Sequence, residues 1–222
     1  LFPYMITEDG LEFRYMYHFL QKWMHEKYHL DEFGAMDTTK EATLSIVDVN
    51  PYCGQLGYHL KSSFDRDFKL LGFSNNVDNI NKIKTLTNGV FNKIGYYDIS
   101  KNGGKLPFDK RVDILIGVHA LDTLDKETGL KFLDEVKRVS HNAIITIPNN
   151  KIWSHKDLKK NGDWSIRGFG WNFPKNRNPT TLDTVMSPIV FGFSKFKFYF
   201  WARTFFAVYE GGSMDVIQEP IQ

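Results

Sequence analysis

A short apolar run near the start of the chain is followed by an acid, a turn and a glycine. The run covers residues 44–47 and predicts a buried β-strand, and the stretch DVNPYCG, from Asp48 to Gly54, comes directly after it. An acid at the end of a buried strand, followed by a tight turn, is typical of a loop that binds a nucleotide-containing cofactor. Asparagine, proline and tyrosine stand where such loops carry glycines. The alternative is an ordinary turn, because Asn-Pro is a common way for a turn to begin.

Three side chains are candidate general bases for chemistry at such a loop. His119 follows the apolar run 112–118, where it is a candidate to line a site; the alternative is a core histidine whose polar atoms are satisfied by the backbone. Tyr52, in the turn itself, and His155, in a long polar segment, are the other two.

Two further sequence features, a histidine pair and a cysteine, do not predict a functional site. His25 and His29 have the i, i+4 spacing of metal ligands but lack a third ligand, so the sequence predicts no metal site. Cys53 is the one cysteine, which rules out an internal disulfide, and no neighbour in sequence would lower its thiol pKa. We therefore expect no cysteine nucleophile and a reducing, intracellular compartment.

Alternating apolar runs and helical periods predict a doubly wound, mostly parallel α/β sheet that would position these residues. An amphipathic helix over residues 11–29 comes before the first strand. The pattern then predicts five strands, with helices between them, over the following residues: strands 44–49, 68–73, 90–99, 112–118 and 143–147, and helices 57–65, 74–86 and 128–139.

The C-terminal third has a different composition. Residues 149–181 interleave Trp and Phe with Lys and Arg and show no clear period, which is typical of a functional loop. Such a segment suits a lid over a small acceptor, or a groove for single-stranded nucleic acid. We favour the lid because the chain is close to neutral. After it, the pattern predicts a helix over 181–190 and an antiparallel hairpin of strands 195–200 and 204–209.

Composition narrows the class of protein. The chain has 222 residues, 42% of them apolar, enough for the core of one ordinary domain. Its net charge of +2, without a long basic run, does not indicate a nucleic-acid tail. No apolar stretch is long enough for a membrane-spanning helix, so we expect a soluble chain.

Four stretches together make the chain resemble the class I S-adenosylmethionine-dependent methyltransferases over about residues 40–210. The first loop keeps the family's acid at Asp48 and its last glycine at Gly54. The segment LPFDKRVDILIGVHALDTLDK is similar to the family's fourth-strand segment, and RVSHNAIITIPN to its fifth strand. The segment GFSKFKFYFWARTFFAVYEGG is similar to its closing hairpin, in which one strand lies antiparallel in the sheet.

The resemblance implies a three-layer, doubly wound α/β fold with a mostly parallel seven-stranded sheet and an antiparallel C-terminal hairpin strand. It implies a helical extension over residues 1–40 and a methyltransferase-like domain over 41–222, with 149–181 inserted as a lid or acceptor-binding segment. It also implies S-adenosylmethionine as the methyl donor and an oxygen or nitrogen atom as the acceptor.

The resemblance further implies a role for individual residues. Asp48 would contact the methionine end of the cofactor. The residue that ends strand two would contact the ribose, and Asp98 would contact the adenine. His119 and its neighbours Val118 and Ala120 would line the methyl-bearing middle. The cofactor-binding residues expected in this way are Asp48, Asn50, Tyr52, Gly54, Ser74, Asn75, Asp98, Ile99, Val118 and His119.

The chain also departs from the family. Ser74 stands where the family carries an acid that accepts two ribose hydroxyls, and it lacks the charge assistance of a carboxylate. His119-Ala120-Leu121-Asp122 replaces the Asn/Asp-Pro-Pro-aromatic motif of the enzymes that methylate exocyclic amines, which disfavours a nucleobase amine as acceptor. The main alternative is therefore a methyltransferase-like subunit without catalysis, which binds or scaffolds a partner. A dinucleotide or nucleotide-sugar enzyme is disfavoured by the missing glycines and by the closing hairpin.

The acceptor stays open between a small molecule, a sugar, a lipid and RNA, with a partner subunit or a homodimer as the expected assembly.

Overall fold

The computed structural model describes residues 8–28, 43–64, 67–87, 89–121, 124–148, 183–186, 196–201 and 204–211. These residues form four α-helices and eight β-strands, in the following order: α1 (Glu8–Tyr28), β1 (Leu44–Val49), α2 (Gln55–Ser63), β2 (Phe68–Ser74), α3 (Val77–Leu86), β3 (Lys93–Tyr96), β4 (Val112–Gly117), α4 (Lys126–Val139), β5 (Ser140–Pro148), β6 (Asp183–Met186), β7 (Phe196–Trp201) and β8 (Thr204–Glu210).

The strands form one sheet in the order β3-β2-β1-β4-β5-β8-β7-β6. The first five are parallel to one another, which requires a crossover between each consecutive pair. β8 pairs antiparallel with β5, and β7 with β8. The expected doubly wound, mostly parallel sheet with an antiparallel C-terminal hairpin is confirmed.

Helices cover both faces of the sheet, which gives the expected three layers. One apolar cluster joins α1 and α2 to one face, and its large members include Trp23 and Leu60. The other joins α4 to the opposite face through Phe132 and Leu133. Because both faces of the central parallel strands are covered, β1 and β4 are mostly apolar and almost fully buried, and β4 is buried at every position.

Two polar side chains begin the helices that follow β2 and precede β5. Asn76 accepts hydrogen bonds from the backbone N–H groups of Asp78 and Asn79, at 2.8 and 3.2 Å, and so caps α3. Asp125 accepts one from the N–H of Thr128, at 3.0 Å, and caps α4. This bond is the largest of the causes that lower the pKa of the Asp125 carboxyl.

Two predicted elements differ from the structure. The helix expected over 181–190 is wrong at Asp183–Met186, which forms β6 and pairs antiparallel with β7. A neighbouring strand that supplies backbone partners outweighs a weak helical pattern here, and the extra strand makes eight where seven were expected. The third strand spans Lys93–Tyr96 rather than 90–99, because it pairs only opposite residues 71–74 of β2.

Helix α1 makes two side-chain hydrogen bonds to β8. The Trp23 indole donates a hydrogen bond to Glu210 Oε1 at 3.0 Å, and the Lys22 ammonium donates to the same oxygen at 2.8 Å. The segment expected to form a lid, 149–181, and His155 within it lie outside the described residues. Of the helices in the described ranges, none combines the length and the apolar character needed to cross a bilayer.

Candidate functional site

The loop after β1 has a glycine-like backbone at residues that are not glycine. Asn50 and Tyr52 have positive φ angles of 61° and 41°, and Gly54 follows with 83°. For an L-residue the left-handed region costs about 1–2 kcal/mol, and asparagine tolerates it better than tyrosine. The N–H of Asn50 donates to the Phe73 carbonyl at 2.9 Å, which ties the loop to the end of β2. The loop therefore has the alternating left-handed path that glycines would make easy.

Asp48 lies below this loop, one residue before the end of β1, with Gly72 on one side and Ile116 on the other. Its side chain is only 1% exposed, and no described residue makes a hydrogen bond to its Oδ2. Burial raises the pKa of the carboxyl from 3.8 to about 8. An unsatisfied buried carboxyl is costly, so this side chain suits a cationic or hydrogen-bond-donating ligand.

One pocket opens directly onto Asp48, and we call it the Asp48 pocket. Its walls come from α1, the loop, the first two turns of α2 and the end of β4. The lining residues are Met16, Asp48, Asn50, Pro51, Tyr52, Cys53, Gln55, Leu56, His59 and Val118.

A second pocket lies at the ends of β2 and β3, and we call it the Ser74 pocket. Its lining residues are Asn50, Phe73, Ser74, Asn75, Tyr97, Ile99, Ser100, Ala120 and Leu124. The Ser74 hydroxyl donates to Asn50 Oδ1 at 3.3 Å and accepts from the Asn76 N–H at 3.1 Å. Asn50 lines both pockets, so the two meet at this residue.

Both pockets are small: the Asp48 pocket has room for about 40 Å³ of water and the Ser74 pocket for about 20 Å³. Exposed residues form part of each wall: Tyr52, 46% exposed, in the Asp48 pocket and Asn75 in the Ser74 pocket. A ligand larger than a few waters therefore extends over these exposed residues.

The ring of Tyr97 forms an aromatic wall of the Ser74 pocket, and contacts outside the pocket fix its position. Its hydroxyl donates to the Lys105 carbonyl at 3.0 Å, and its ring meets the edge of Phe73 at 5.5 Å. Burial, and then the carboxylate of Glu135, raise the pKa of the Tyr97 hydroxyl.

Asp98 and His119 lie beside the pockets without lining either of them. Asp98 Oδ1 accepts a hydrogen bond from the Lys101 N–H at 3.2 Å, and the neighbouring Ile99 lines the Ser74 pocket instead. His119 is buried, with a positive φ of 51°, and its N–H donates to the Thr146 hydroxyl at 2.8 Å. Its neighbours Val118 and Ala120 each line one pocket. Backbone strain of this kind often occurs at functional sites.

The structure brings most of the predicted residues together and adds several. Of the predicted set, the pockets are lined by Asp48, Asn50, Tyr52, Ser74, Asn75, Ile99 and Val118. Sequence reasoning missed Met16, Gln55, His59 and Tyr97. Gln55 and His59 could have been found, because their i, i+4 spacing at the start of the helix after the loop puts them on one face. Met16 carries no such signal, since only packing brings α1 to the loop.

In the described part of the chain, no group of three or more His, Cys, Asp or Glu side chains is arranged to hold a metal ion.

No protein-family model matches the chain, and no curated protein matches its sequence. Solved structures do match in fold. An S-adenosylmethionine-dependent methyltransferase from Clostridium acetobutylicum ATCC 824 has a TM-score of 0.44 and 12% identity, over 59% of this chain and 48% of that one. The glycopeptide N-methyltransferase MtfA, complexed with S-adenosyl-L-methionine, has a TM-score of 0.40 and 10% identity, over 56% and 55%.

The CcbJ methyltransferase from Streptomyces caelestis has a TM-score of 0.41 and 9% identity, over 49% and 45% of the two chains. The chain thus spans about half the length of these solved structures. The likeness is one of fold, and at these TM-scores it carries no conclusion about cofactor, acceptor or activity.

Proposed function

We propose that this protein is an S-adenosylmethionine-dependent methyltransferase that transfers a methyl group to an oxygen or nitrogen acceptor. The observation that carries the proposal is Asp48. It is a buried carboxyl whose Oδ2 lacks a partner among the described residues, below a loop whose alternate residues all have positive φ. Such a loop lets a ligand lie across the ends of the strands.

The residues of the two pockets suit the parts of the cofactor. Asp48 is the acceptor for the ammonium of the methionine end, and ionises when a cation lies against it. The linked pair Asn50 and Ser74 offers side-chain oxygens and an amide to a ribose hydroxyl. The apolar residues Ile99 and Leu124 form walls for the adenine ring.

Catalysis of methyl transfer rests chiefly on positioning. When bound, the cofactor supplies a methyl group activated by a positively charged sulfur. Asp48 would fix the methionine end, and Val118, half-buried in the wall of the Asp48 pocket, would keep water from the methyl group. A base is needed only when the acceptor must lose a proton, and Tyr52, His119 and His155 are the candidates for that role.

The domain division and the lid are parts of the same proposal. Residues 41–222 would form the methyltransferase-like domain, with 1–40 as its helical extension and 149–181 as the segment that shapes the acceptor pocket. A small-molecule acceptor is favoured by the near-neutral charge of the chain. An intracellular location is favoured by its one cysteine, Cys53, which is free and exposed.

Calorimetric titration with S-adenosylhomocysteine tests the cofactor assignment. The wild-type protein should bind it, and Asp48→Ala should abolish the binding, whereas Asp134→Ala, an exposed acid on α4, should leave it unchanged. Absence of wild-type binding at millimolar ligand would contradict the proposal. Transfer of labelled methyl from S-adenosylmethionine to a panel of small-molecule acceptors then tests catalysis.

Ser74 favours a second candidate, a methyltransferase-like subunit that binds or scaffolds a partner without catalysis. Its hydroxyl already forms hydrogen bonds with Asn50 and Asn76, and it has no negative charge to strengthen a hydrogen bond from a ribose hydroxyl. This candidate predicts that the wild type binds the cofactor weakly or not at all, and that affinity for the cofactor rises tenfold or more in Ser74→Asp. It predicts no methyl transfer by either protein. Transfer by the wild type would exclude it.

A further inference from the structure

A cavity separate from both pockets lies between the last turn of α3 and the start of β3, and we call it the α3–β3 cavity. Its volume is about 340 Å³, against about 40 Å³ for the Asp48 pocket and about 20 Å³ for the Ser74 pocket. Sites for small molecules commonly have volumes of about 300–1,000 Å³, so this cavity is large enough to be one. Its lining residues are Ile83, Lys84, Thr87, Gly89, Phe91, Asn92, Lys93 and Ile94.

The residues that line this cavity include two lysines and no acid. Lys84 lies in the last turn of α3 and Lys93 is the first residue of β3, and both are exposed. In the part of the chain that the structure describes, no acid forms an ion pair with either ammonium. The cavity therefore has positive charge that its own walls do not neutralise, which favours an anionic ligand.

The carbonyl groups at the end of α3 already have hydrogen-bond partners. The Ile83 carbonyl accepts from the Thr87 N–H at 2.9 Å and from the Thr87 hydroxyl at 2.8 Å, and the Thr87 carbonyl accepts from the Val90 N–H at 2.9 Å. The partial negative charge at the C-terminus of a helix comes from carbonyl groups without partners. An anion beside Lys84 therefore meets less repulsion than it would at an open helix end.

Asn92 adds a neutral donor whose orientation is fixed. Its Oδ1 accepts a hydrogen bond from the Leu70 N–H at 2.7 Å, and its backbone N–H donates to the Leu70 carbonyl at 2.9 Å. Because β2 occupies the side-chain oxygen, the side-chain NH₂ is the group left to bind a ligand, and it can only donate. The amide of Asn92 thus favours the same kind of ligand as the two lysines.

Apolar side chains line the rest of the cavity. Ile83 is buried, and Phe91 and Ile94 are half-buried. The Phe91 ring is closely packed from behind, since a Cβ at Gly57 would lie 2.6 Å from it and one at Gly72 would lie 2.9 Å from it. A ring that packing holds in place loses little freedom when a ligand binds against it.

We propose that the α3–β3 cavity is a second ligand site, which binds a small organic carboxylate. The two lysines and the amide of Asn92 donate to the carboxylate, and the apolar body of the ligand packs against Phe91 and Ile94. The site shares no lining residue with the Asp48 pocket or the Ser74 pocket, so it does not depend on the proposed function.

3-Phenylpropionate and 3-phenylpropionamide separate the charge of the ligand from its shape. The two compounds have the same ring and nearly the same size, and only the first is charged. A ligand of this size should bind with a Kd on the order of 1 mM. Titration followed in the backbone amide NMR spectrum should shift signals of cavity residues such as Thr87 and Gly89. The amide compound should bind about fivefold more weakly, because it lacks the charge-assisted hydrogen bonds.

Lys84→Gln and Lys93→Gln each remove one positive charge and keep a polar side chain. Each should weaken the binding of 3-phenylpropionate about two- to fivefold, the usual size for an exposed ion pair, and the double variant about tenfold. The affinity for 3-phenylpropionamide should stay within about twofold. Lys82→Gln is the matched control, because Lys82 is an exposed lysine of the same helix that does not line the cavity.

Four results would overturn the inference: equal affinities for the two compounds, NMR shifts confined to residues outside the cavity, an equal loss in Lys82→Gln, or no binding of 3-phenylpropionate at about 10 mM. Thermal unfolding of each variant checks that it is folded. Binding of S-adenosylhomocysteine is measured separately, so failure of the proposed function leaves this inference standing, and the reverse also holds.

Discussion

Asp48 is an acid in surroundings that disfavour its charge. The side chain has almost no contact with water, and burial raises its pKa to about 8, so the carboxyl is mostly neutral at pH 7. A nearby ammonium would reverse that preference by stabilising the carboxylate. The residue is thus suited to ionise only when its ligand is present.

Asp48 should make the stability of the protein depend on pH. Below pH 3.8 the carboxyl is protonated in both the folded and the unfolded chain, and between 3.8 and about 8 only the folded chain keeps the proton. Rising pH therefore favours unfolding in this window, by up to about 1.4 kcal/mol per pH unit, and the effect levels off above pH 8. Urea unfolding at pH 5, 6, 7 and 8 measures it.

Asp48→Asn is the reference for this measurement, because it cannot titrate. The stability of the wild type relative to Asp48→Asn should fall from pH 5 to pH 8. Parallel stability curves for the two proteins would contradict a raised pKa at Asp48.

Replacing Tyr52 by glycine should stabilise the protein. Its φ of 41° is costly for a side chain with a Cβ, by about 1–2 kcal/mol, whereas glycine gives up about 0.5–1 kcal/mol in chain entropy. Tyr52→Gly should therefore raise the unfolding temperature by about 2 °C in a domain of this size. Tyr58→Gly, at a similarly exposed tyrosine within α2, should lower it. A drop in both variants would show that tyrosine contacts outweigh the backbone cost at residue 52.

At the scale of elements, the loop between β3 and β4 is fitted against α4. Gly104 has a φ of 87°, and a Cβ there would lie 2.6 Å from the Thr128 carbonyl oxygen and 2.8 Å from the Phe132 nitrogen. The backbone of a helix cannot give way easily. Only glycine keeps the loop, which carries Ile99 into the Ser74 pocket, at this distance from α4.

Gly104→Ala should destabilise the protein by more than about 2 kcal/mol, since backbone strain and a clash with α4 add. Gly103→Ala separates the two causes. Gly103 also has a positive φ, of 60°, but nothing lies within 4 Å of its added Cβ, so about 1–2 kcal/mol is expected from strain alone. Chemical denaturation gives both values, and equal losses would rule out the clash.

The elements from β1 to β5 could be predicted from the sequence because each carries a local signal. Buried parallel strands are apolar runs, and α3 and α4 have helical periods and capping residues. The strand at Asp183–Met186 could not be predicted, because four residues are too few to show a pattern. Its pairing with β7 is a contact made only in the folded chain.

In the site, too, some residues could be predicted from the sequence and others could not. Asp48, Ser74 and Val118 were expected from the family resemblance, and each lies at or beside the end of a parallel strand, where such ends meet at one edge of a sheet. Met16 reaches the pocket only because α1 packs on the sheet, far from it in sequence, and no local pattern encodes that.

At the scale of the molecule, α1 is part of the core and also part of the site. Trp23 is fully buried between α1 and the sheet, and its indole bonds to Glu210 of β8. Phe13 and Met16 of the same helix hold or line the Asp48 pocket. A helix expected as an extension of the domain thus shares its central cluster.

Trp23→Ala should cost about 3–5 kcal/mol, because it empties a large buried volume. Lys22→Ala removes the exposed partner of the same Glu210 oxygen, and a half-exposed ion pair contributes at most about 1 kcal/mol. Urea unfolding of the two variants should differ accordingly. A small effect of Trp23→Ala would mean that α1 is a detachable extension.

The antiparallel run β8-β7-β6 fixes where the chain leaves and re-enters the sheet. β5 ends, at Pro148, on the edge where both pockets open, and β6, which runs opposite to β5, begins on that same edge at Asp183. Pro148 and Asp183, the described residues on either side of this part of the chain, therefore lie at the same edge of the sheet, several strands apart. Under the proposed function, a segment that binds the acceptor would be joined to the sheet at the edge that carries the site.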